Sequence, residues 1–347
     1  MQPVPSQTPQ VICLGEALVD RFEVPTSDPA VNQIADDWLG GAPANVACGL
    51  ARLGTTAAFI GCLGRDKVAA KFCALFAERG VNLEALQHDA TRPSRIVLVR
   101  RYADGERAFQ GFVDDHGAGF SDQALSLSTL RPFWPNLSVT ARWLLIGTVP
   151  LAAPQAAETL RWCVEQANIA CLPIALDVNW RPIFWNLGCN PNSAPEATAL
   201  IRVQPLLKVA TLLKLTREEA LWFCGTYDPV AISSSLPQQP DVVVTDGAEP
   251  VCWSIGTHQG TTAIMRPKCV VDTTGAGDAF MAGLLHQLTV LTPSQREVSS
   301  LDRGQVENVI HYAIACGALV CGGAGAIDPQ PSQSQVRRFL EVSGPVS

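Results

Sequence analysis

A chain of 347 residues, 47% of them hydrophobic and only 16% charged, has ample material for a buried core, which excludes wholesale disorder. Lys and Arg number 25 against 32 Asp and Glu, a formal charge of −7 that argues against a dedicated nucleic-acid binder, since such proteins present a basic face. No uninterrupted apolar run reaches the ~20 residues that cross a bilayer. Met1 to Gln10 lacks the basic start and apolar core of a signal peptide, and the 12 cysteines form no Cys-x-x-Cys pair and no Cys/His cluster. The expectation is a cytoplasmic protein with reduced thiols and no membrane partner.

In chain order, the first apolar run predicts a buried strand over 11–14, and an extended patch follows at 22–24 with 34–38. Gly40 and Gly41 end that patch; a helix over 45–52, a strand over 57–60 and a helix over 67–79 come next. The runs 94–102 and 106–113 are extended and joined by Ala103-Asp104-Gly105, an Asp-Gly hairpin signal. Beyond them, strands over 143–146, 174–176, 211–215 and 242–245 alternate with helices over 155–168, 217–224 and 277–288. Pro- and Ser-rich stretches at 190–195, 233–240 and 329–334 are expected to be surface loops. This rhythm predicts a mostly parallel sheet between helices, with ligands at the carboxyl ends of its strands. The interrupting patches, about 21–40 and 94–116, are expected to form a small β lid inserted in a single domain spanning 1–347. The exposed edges of such a lid suit pairing in a homodimer.

The run Val270-Val271-Asp272-Thr273-Thr274-Gly275-Ala276-Gly277-Asp278-Ala279-Phe280 takes two β-branched residues into a turn of small ones. Phe280, Met281, Leu284, Leu285 and Leu288 then mark one face of a helix. Gly275, Ala276 and Gly277 fall at the helix N-terminus, where unpaired N–H groups and the dipole make an anion hole. Asp278 sits in the first turn, where the dipole is expected to keep it ionised. A carboxylate there can take a proton from a hydroxyl while a phosphoryl group arrives. Taken alone, the run is equally a helix start preceded by a glycine turn. It is neither a Walker A loop nor a Gly-x-Gly-x-x-Gly dinucleotide fingerprint.

A second segment, Gly40-Gly41-Ala42-Pro43-Ala44-Asn45-Val46-Ala47, pairs two glycines with the opening of a helix. Asn45 offers a donor and an acceptor to a polyol, and Gly41 permits close backbone approach. In this order and separation the two segments resemble the two signatures of the ribokinase/PfkB family of sugar kinases. The resemblance covers nearly the whole chain and within that family is strongest to fructokinases. Gly15-Glu16-Ala17-Leu18-Val19-Asp20 is similar to their opening strand, and Asp177-Val178-Asn179-Trp180-Arg181-Pro182 with Phe184-Trp185 to their Asp-x-Asn-x-Arg segment. Val244-Thr245-Asp246-Gly247 resembles the nucleotide loop, while Gly317-Ala318 and Gly325-Ala326-Ile327 resemble the C-terminal helix and the loop that closes over ATP. Lys214-Leu215-Thr216-Arg217-Glu218-Glu219 stands at the place of an Asn-x-x-Glu motif, with Thr216 for the Asn. Val113-Asp114-Asp115-His116-Gly117 departs from the Asn-Pro-Ser/Ala stretch that many fructokinases carry after the lid hairpin.

The resemblance implies a ribokinase-like three-layer α/β/α sandwich with a mostly parallel central sheet and a small β lid. It implies transfer of the γ-phosphoryl group of ATP, with Mg²⁺, to a sugar primary hydroxyl, D-fructose becoming fructose 6-phosphate. Asp278 is cast as the base and the amides of Gly275, Ala276 and Gly277 as the anion hole. Asp20, Gly41 and Asn45 would orient the sugar. Thr245 and Gly247, with Lys214 and Glu219, would serve the nucleotide side, Glu219 helping to arrange hydrated Mg²⁺. Arg181 would reach a phosphate or the sugar, or make a structural ion pair; strand alternation turns only one of Arg100 and Arg101 toward the substrate. Asp272 and the Thr274 carbonyl, with backbone from Gly323 to Gly325, would hold K⁺ beside the anion hole. The alternative is that Asp272 only caps its own turn. Other readings left open are a kinase for another sugar, for a sugar acid such as 2-keto-3-deoxygluconate or for a nucleoside, and a catalytically silent fructokinase-like assembly protein.

Overall fold

A computed structural model describes residues 8–24, 33–101, 107–113, 119–292 and 295–343. In chain order its strands are β1 (Val11–Leu14), β2 (Leu18–Val24), β3 (Gln33–Gly40), β4 (Ala57–Ile60), β5 (Cys62–Leu63), β6 (Gln87–His88), β7 (Ile96–Arg101), β8 (Arg107–Val113), β9 (Trp143–Ile146), β10 (Ile174–Asp177), β11 (Leu212–Thr216), β12 (Asp241–Asp246), β13 (Glu249–Ile255) and β14 (His258–Thr262). Eight of them form one sheet in the order β14-β13-β12-β11-β10-β9-β1-β4. Neighbours from β4 to β12 are parallel, and β13 and β14 add antiparallel at one edge.

Alternation along the buried strands feeds two cores. Val11 and Cys13 of β1 join the apolar cluster on one face, Ile12 and Leu14 the cluster on the other. The helices Ala42–Leu53, Lys67–Arg79, Ala276–Leu291 and Arg303–Val320 cover the first face, and Pro154–Ile169 with Ala197–Val209 cover the second. Phe59, Phe72 and Phe76 are fully buried in the first core, the Phe76 ring centroid 5.0 Å from that of Phe59 and 5.5 Å from that of Phe72. Each such side chain contributes about 1.5–3 kcal/mol by leaving water. The three-layer α/β/α architecture expected from the sequence is the one found.

The two interrupting patches meet in a separate four-stranded sheet ordered β3-β2-β7-β8. β2 and β7 run parallel at its centre with Val19 opposite Ile96, and β3 and β8 flank them antiparallel. β2 begins at Leu18 rather than at Phe22, because Leu18 and Val19 are drawn into the buried seam. Asp20 therefore lies on a strand. The expected turn at 103–105, the departing loop at 114–117 and the side chains of Arg100 and Arg101 lie outside the described residues. β13, β14 and the helices Ala197–Val209, Pro229–Ser235 and Gln333–Ser343 go beyond the sequence reading, and the last two run into the stretches read as loops over 233–240 and 329–334. Among the described residues no helix is long and apolar enough to cross a membrane.

Candidate active site

The end of β1 and the start of the helix Ala42–Leu53 approach too closely for a side chain at position 41. A Cβ on Gly41 would lie 2.6 Å from the Glu16 carbonyl oxygen, and its φ of 103° is left-handed. That helix has no side-chain cap from Gly41 and no acid in its first turn. Glu16 supplies the cap from across the turn, its Oε1 accepting from the Ala42 N–H at 3.2 Å. Its Oε2 is buried without a hydrogen-bond partner among the described residues. Burial pushes the Glu16 carboxyl up to about 7; Asp122 and Asp278 add to the rise, and backbone hydrogen bonds oppose it.

One turn into the same helix, Asn45 Nδ2 donates to Asp278 Oδ2 at 2.7 Å, joining segments 233 residues apart. Small residues set this approach. The helices Ala42–Leu53 and Ala276–Leu291 cross where a Cβ on Gly49 would lie 2.8 Å from the Ala282 Cβ. Gly49 follows Asn45, and Ala282 follows Asp278, by one helical turn. Asn45 Oδ1 is buried and unpartnered among the described residues. It lies 4.0 Å from where a Gly40 Cβ would stand, and Asp20 Oδ2 lies 3.3 Å from that same point. Asp20, Gly40, Asn45 and Asp278 thus converge.

Gly275 caps the second helix at a φ of 77°, and a Cβ there would lie 2.6 Å from the Ala326 Cβ. The N–H groups of Gly275 and of the exposed Gly277 have no partner among the described residues, whereas Ala276 donates to the Thr273 carbonyl at 3.2 Å. Two of the three expected anion-hole amides are therefore open to a ligand, at a helix N-terminus that favours negative charge. Burial raises the Asp278 carboxyl above its ordinary value and Asp177 pushes the same way, while the Asn45 hydrogen bond, Lys214 and Arg181 oppose. Burial and the helix dipole thus act on this carboxyl in opposite directions.

Register places Asp177 of β10 beside Lys214 of β11. Lys214 is 4% exposed and its Nζ donates to both Asp177 oxygens at 2.9 Å. Burial works against its charge, but Asp177, Glu219 and Asp278 outweigh it and hold the ammonium above the usual lysine value. A Cβ on Gly277 would lie 3.4 Å from this ammonium, so the ion pair abuts the anion hole. Glu219 accepts from the Thr216 N–H at 2.8 Å and from the Trp180 N–H at 2.6 Å, and Thr216 Oγ1 accepts from the Glu219 N–H at 3.2 Å. This capping box ties the Asp177 to Arg181 segment to the helix Arg217–Cys224, and Thr216 caps as an Asn would. Burial raises the Glu219 carboxyl, with Asp177 adding to the rise. Arg181 is exposed and donates to the Trp180 carbonyl at 2.9 Å. Thr245 and Gly247 lie further along the same edge, where β12 ends; Thr245 is opposite Thr216 in register.

Asp272 is 4% exposed. Its Oδ1 accepts from the Thr274 N–H and hydroxyl at 2.8 and 2.7 Å, and its Oδ2 from the Gly325 N–H at 3.2 Å. It caps its turn and also fastens that turn to the C-terminal loop that carries Gly323 and Gly325. Among the described residues no group of three or more His, Cys, Asp and Glu is placed to hold a metal ion.

Sequence reasoning missed two features beside this site. Glu16 acts as a remote helix cap, and its signal was a lone carboxylate in an apolar run. Arg95 pairs with Asp122 through Nε and Nη2 at 2.9 and 3.0 Å, its guanidinium 4.3–4.7 Å from the ring centres of Phe112, Phe120 and Phe184. No local signal marks that pair. Glu16, Arg95, Asp122 and Phe184 line a small pocket that opens to solvent.

The chain belongs to the PfkB family of carbohydrate kinases, whose model matches residues 8–333. It is similar to the fructokinase of Escherichia coli, 30% identical over 334 residues that cover 94% of this chain and 98% of that protein. It is also similar to the aminoimidazole riboside kinase of Salmonella typhimurium, 30% identical over 310 residues and 87% of each chain. The crystal structure of a fructokinase with bound ATP from Xylella fastidiosa matches with a TM-score of 0.80 at 26% identity, covering 96% of this chain and 98% of that one.

Proposed function

We propose that the protein phosphorylates D-fructose with ATP, giving fructose 6-phosphate. The observation that carries this reading is the Asn45–Asp278 contact, which sets a carboxylate beside the anion hole and leaves Asn45 Oδ1 as an unpartnered acceptor near Asp20. Asp278 takes the proton of the sugar's primary hydroxyl at one oxygen while Asn45 holds the other. Asp20 and Asn45 Oδ1 accept from further sugar hydroxyls, and the close turn at Gly41 gives the sugar its backbone wall. The amides of Gly275 and Gly277, with Ala276 completing the turn and Lys214 behind them, stabilise charge on the phosphoryl group in transfer. Arg181, on the Asp278 side, meets a phosphate. Thr245 and Gly247 line the nucleotide side. Residues 1–347 act as one kinase domain, with the small sheet as a lid that excludes water.

Mg²⁺ bound to ATP would supply charge neutralisation on the phosphates. Each Glu219 oxygen accepts one backbone N–H, and its remaining lone pairs would help arrange the water of hydrated Mg²⁺. A buried carboxylate tied to a glycine-rich loop fits a monovalent cation. Asp272, the Thr274 carbonyl and backbone of Gly323 and Gly325 would hold K⁺, which when bound fixes the orientation of the neighbouring amides.

A second reading, a riboside kinase, draws on the 30% identity to the aminoimidazole riboside kinase. A coupled ADP-release assay with fructose, glucose, ribose, 2-keto-3-deoxygluconate and aminoimidazole riboside separates them. Fructose is expected to give the highest kcat/KM. A higher value for another acceptor reassigns the substrate, and no ADP release with any of them favours the silent assembly protein.

A further inference from the structure

Gln330 is 1% exposed and lies in the C-terminal loop before the helix Gln333–Ser343. Its Nε2 donates to the Asn45 backbone carbonyl at 2.8 Å. A carbonyl only accepts, so this contact fixes which way the amide faces. Oε1 is thereby turned toward Gly49, 3.2 Å from where a Cβ would stand, and is buried with no partner among the described residues. An unpartnered buried amide oxygen costs stability, and a methionine of similar length would avoid that cost. Packing alone does not account for a glutamine at this position.

What Gln330 reaches is the residue whose side chain holds Asp278. The same loop is fastened at its other end to the turn before the anion hole, where the Gly325 N–H donates to Asp272 Oδ2. Between these ends the Gln330 N–H closes on the Ile327 carbonyl at 3.2 Å. Asp272, Gly325, Gln330, Asn45 and Asp278 therefore form a circuit that returns through residues 272–278 and encloses the amides of Gly275 and Gly277.

We infer that Gln330 is a positioning residue that seats Asn45 against Asp278 and couples the alignment of the base to the C-terminal loop. It touches neither sugar nor phosphoryl group and acts only through Asn45. The inference rests on the reading of Asp278 as the base.

The test is Gln330→Met, which keeps length and removes both the donor and the unpartnered oxygen. Asp177, Lys214, Arg181 and Glu16, the charged groups coupled to Asp278, are the same in wild type and variant, so a difference between the two acid limbs does not come from them. The expected Tm is equal to or above that of the wild type, while kcat falls about tenfold through loss of alignment. KM for fructose is expected to stay within about twofold because no sugar contact is removed. The acid limb of the kcat–pH profile should move to higher pH, since a looser Asn45 amide holds the Asp278 carboxyl down less. Unchanged kcat and an unmoved acid limb overturn the inference. So does a fall in kcat that tracks a fall in Tm with the acid limb unmoved. Gln330→Leu is read the same way if the methionine variant does not fold, and failure of both to fold assigns Gln330 to packing. A wild type that turns over no acceptor refutes the kinase reading and this inference with it, whereas an active wild type with an unaffected variant refutes this inference alone.

Discussion

Replacing Glu16 with glutamine isolates the cost of a buried carboxylate from its role as a helix cap. The glutamine Oε1 can still accept from Ala42, but position 16 no longer ionises. The Glu16 carboxyl is raised from 4.5 to about 7 in the folded protein. That is roughly 2.5 units, or about 3 kcal/mol between its two protonation states. Because the folded value is the higher one, the protonated form stabilises the fold fully below pH 4.5, and this contribution is lost as pH rises through about 7. Glu16→Gln is therefore expected to match the wild type near pH 4 and to exceed it by up to about 3 kcal/mol above pH 8. Urea unfolding followed by tryptophan fluorescence at several pH values measures the difference, and comparing two nearly identical chains cancels the other titrating groups. A stability difference that stays constant across this range would refute the reasoning, since Glu16 would then carry the same charge folded and unfolded.

Lys214→Met leaves Asp177 as an uncompensated buried charge and is expected to cost about 3–5 kcal/mol in urea unfolding. Adding Asp177→Asn should recover part of that loss, and no recovery would deny that the two act as a pair. Turnover in potassium, sodium and tetramethylammonium buffers of matched ionic strength is expected to be fastest with potassium and to lose that preference in Asp272→Ala. Equal wild-type rates in all three would leave Asp272 a turn cap.

Apolar runs made β1, β4 and β9 legible to the residue, because a fully buried strand of four residues has little freedom in where it ends. Both glycine segments were legible for a similar reason, since the backbone turns they make are local. What each residue touches was not. The sequence offers Asn45 to the sugar but does not show that its amide nitrogen also holds Asp278, an arrangement decided by a helix crossing at Gly49 and Ala282. Glu16 caps a helix 26 residues further on, and Gln330 reaches Asn45 across 285 residues. Such contacts follow from packing rather than local pattern. β14 escaped notice because its register with β13, rather than an apolar run of its own, makes it a strand. The segment that departs from the fructokinase pattern, Val113 to Gly117, lies largely outside the described residues.

The role of Asp278 bears most directly on the account. Asp278→Asn keeps the size of the side chain and removes the base. With fructose and Mg-ATP, kcat should fall by on the order of 10²–10⁴. Fructose binding, followed by tryptophan fluorescence, should persist in the same variant. Near-wild-type turnover of Asp278→Asn would contradict the mechanism outright.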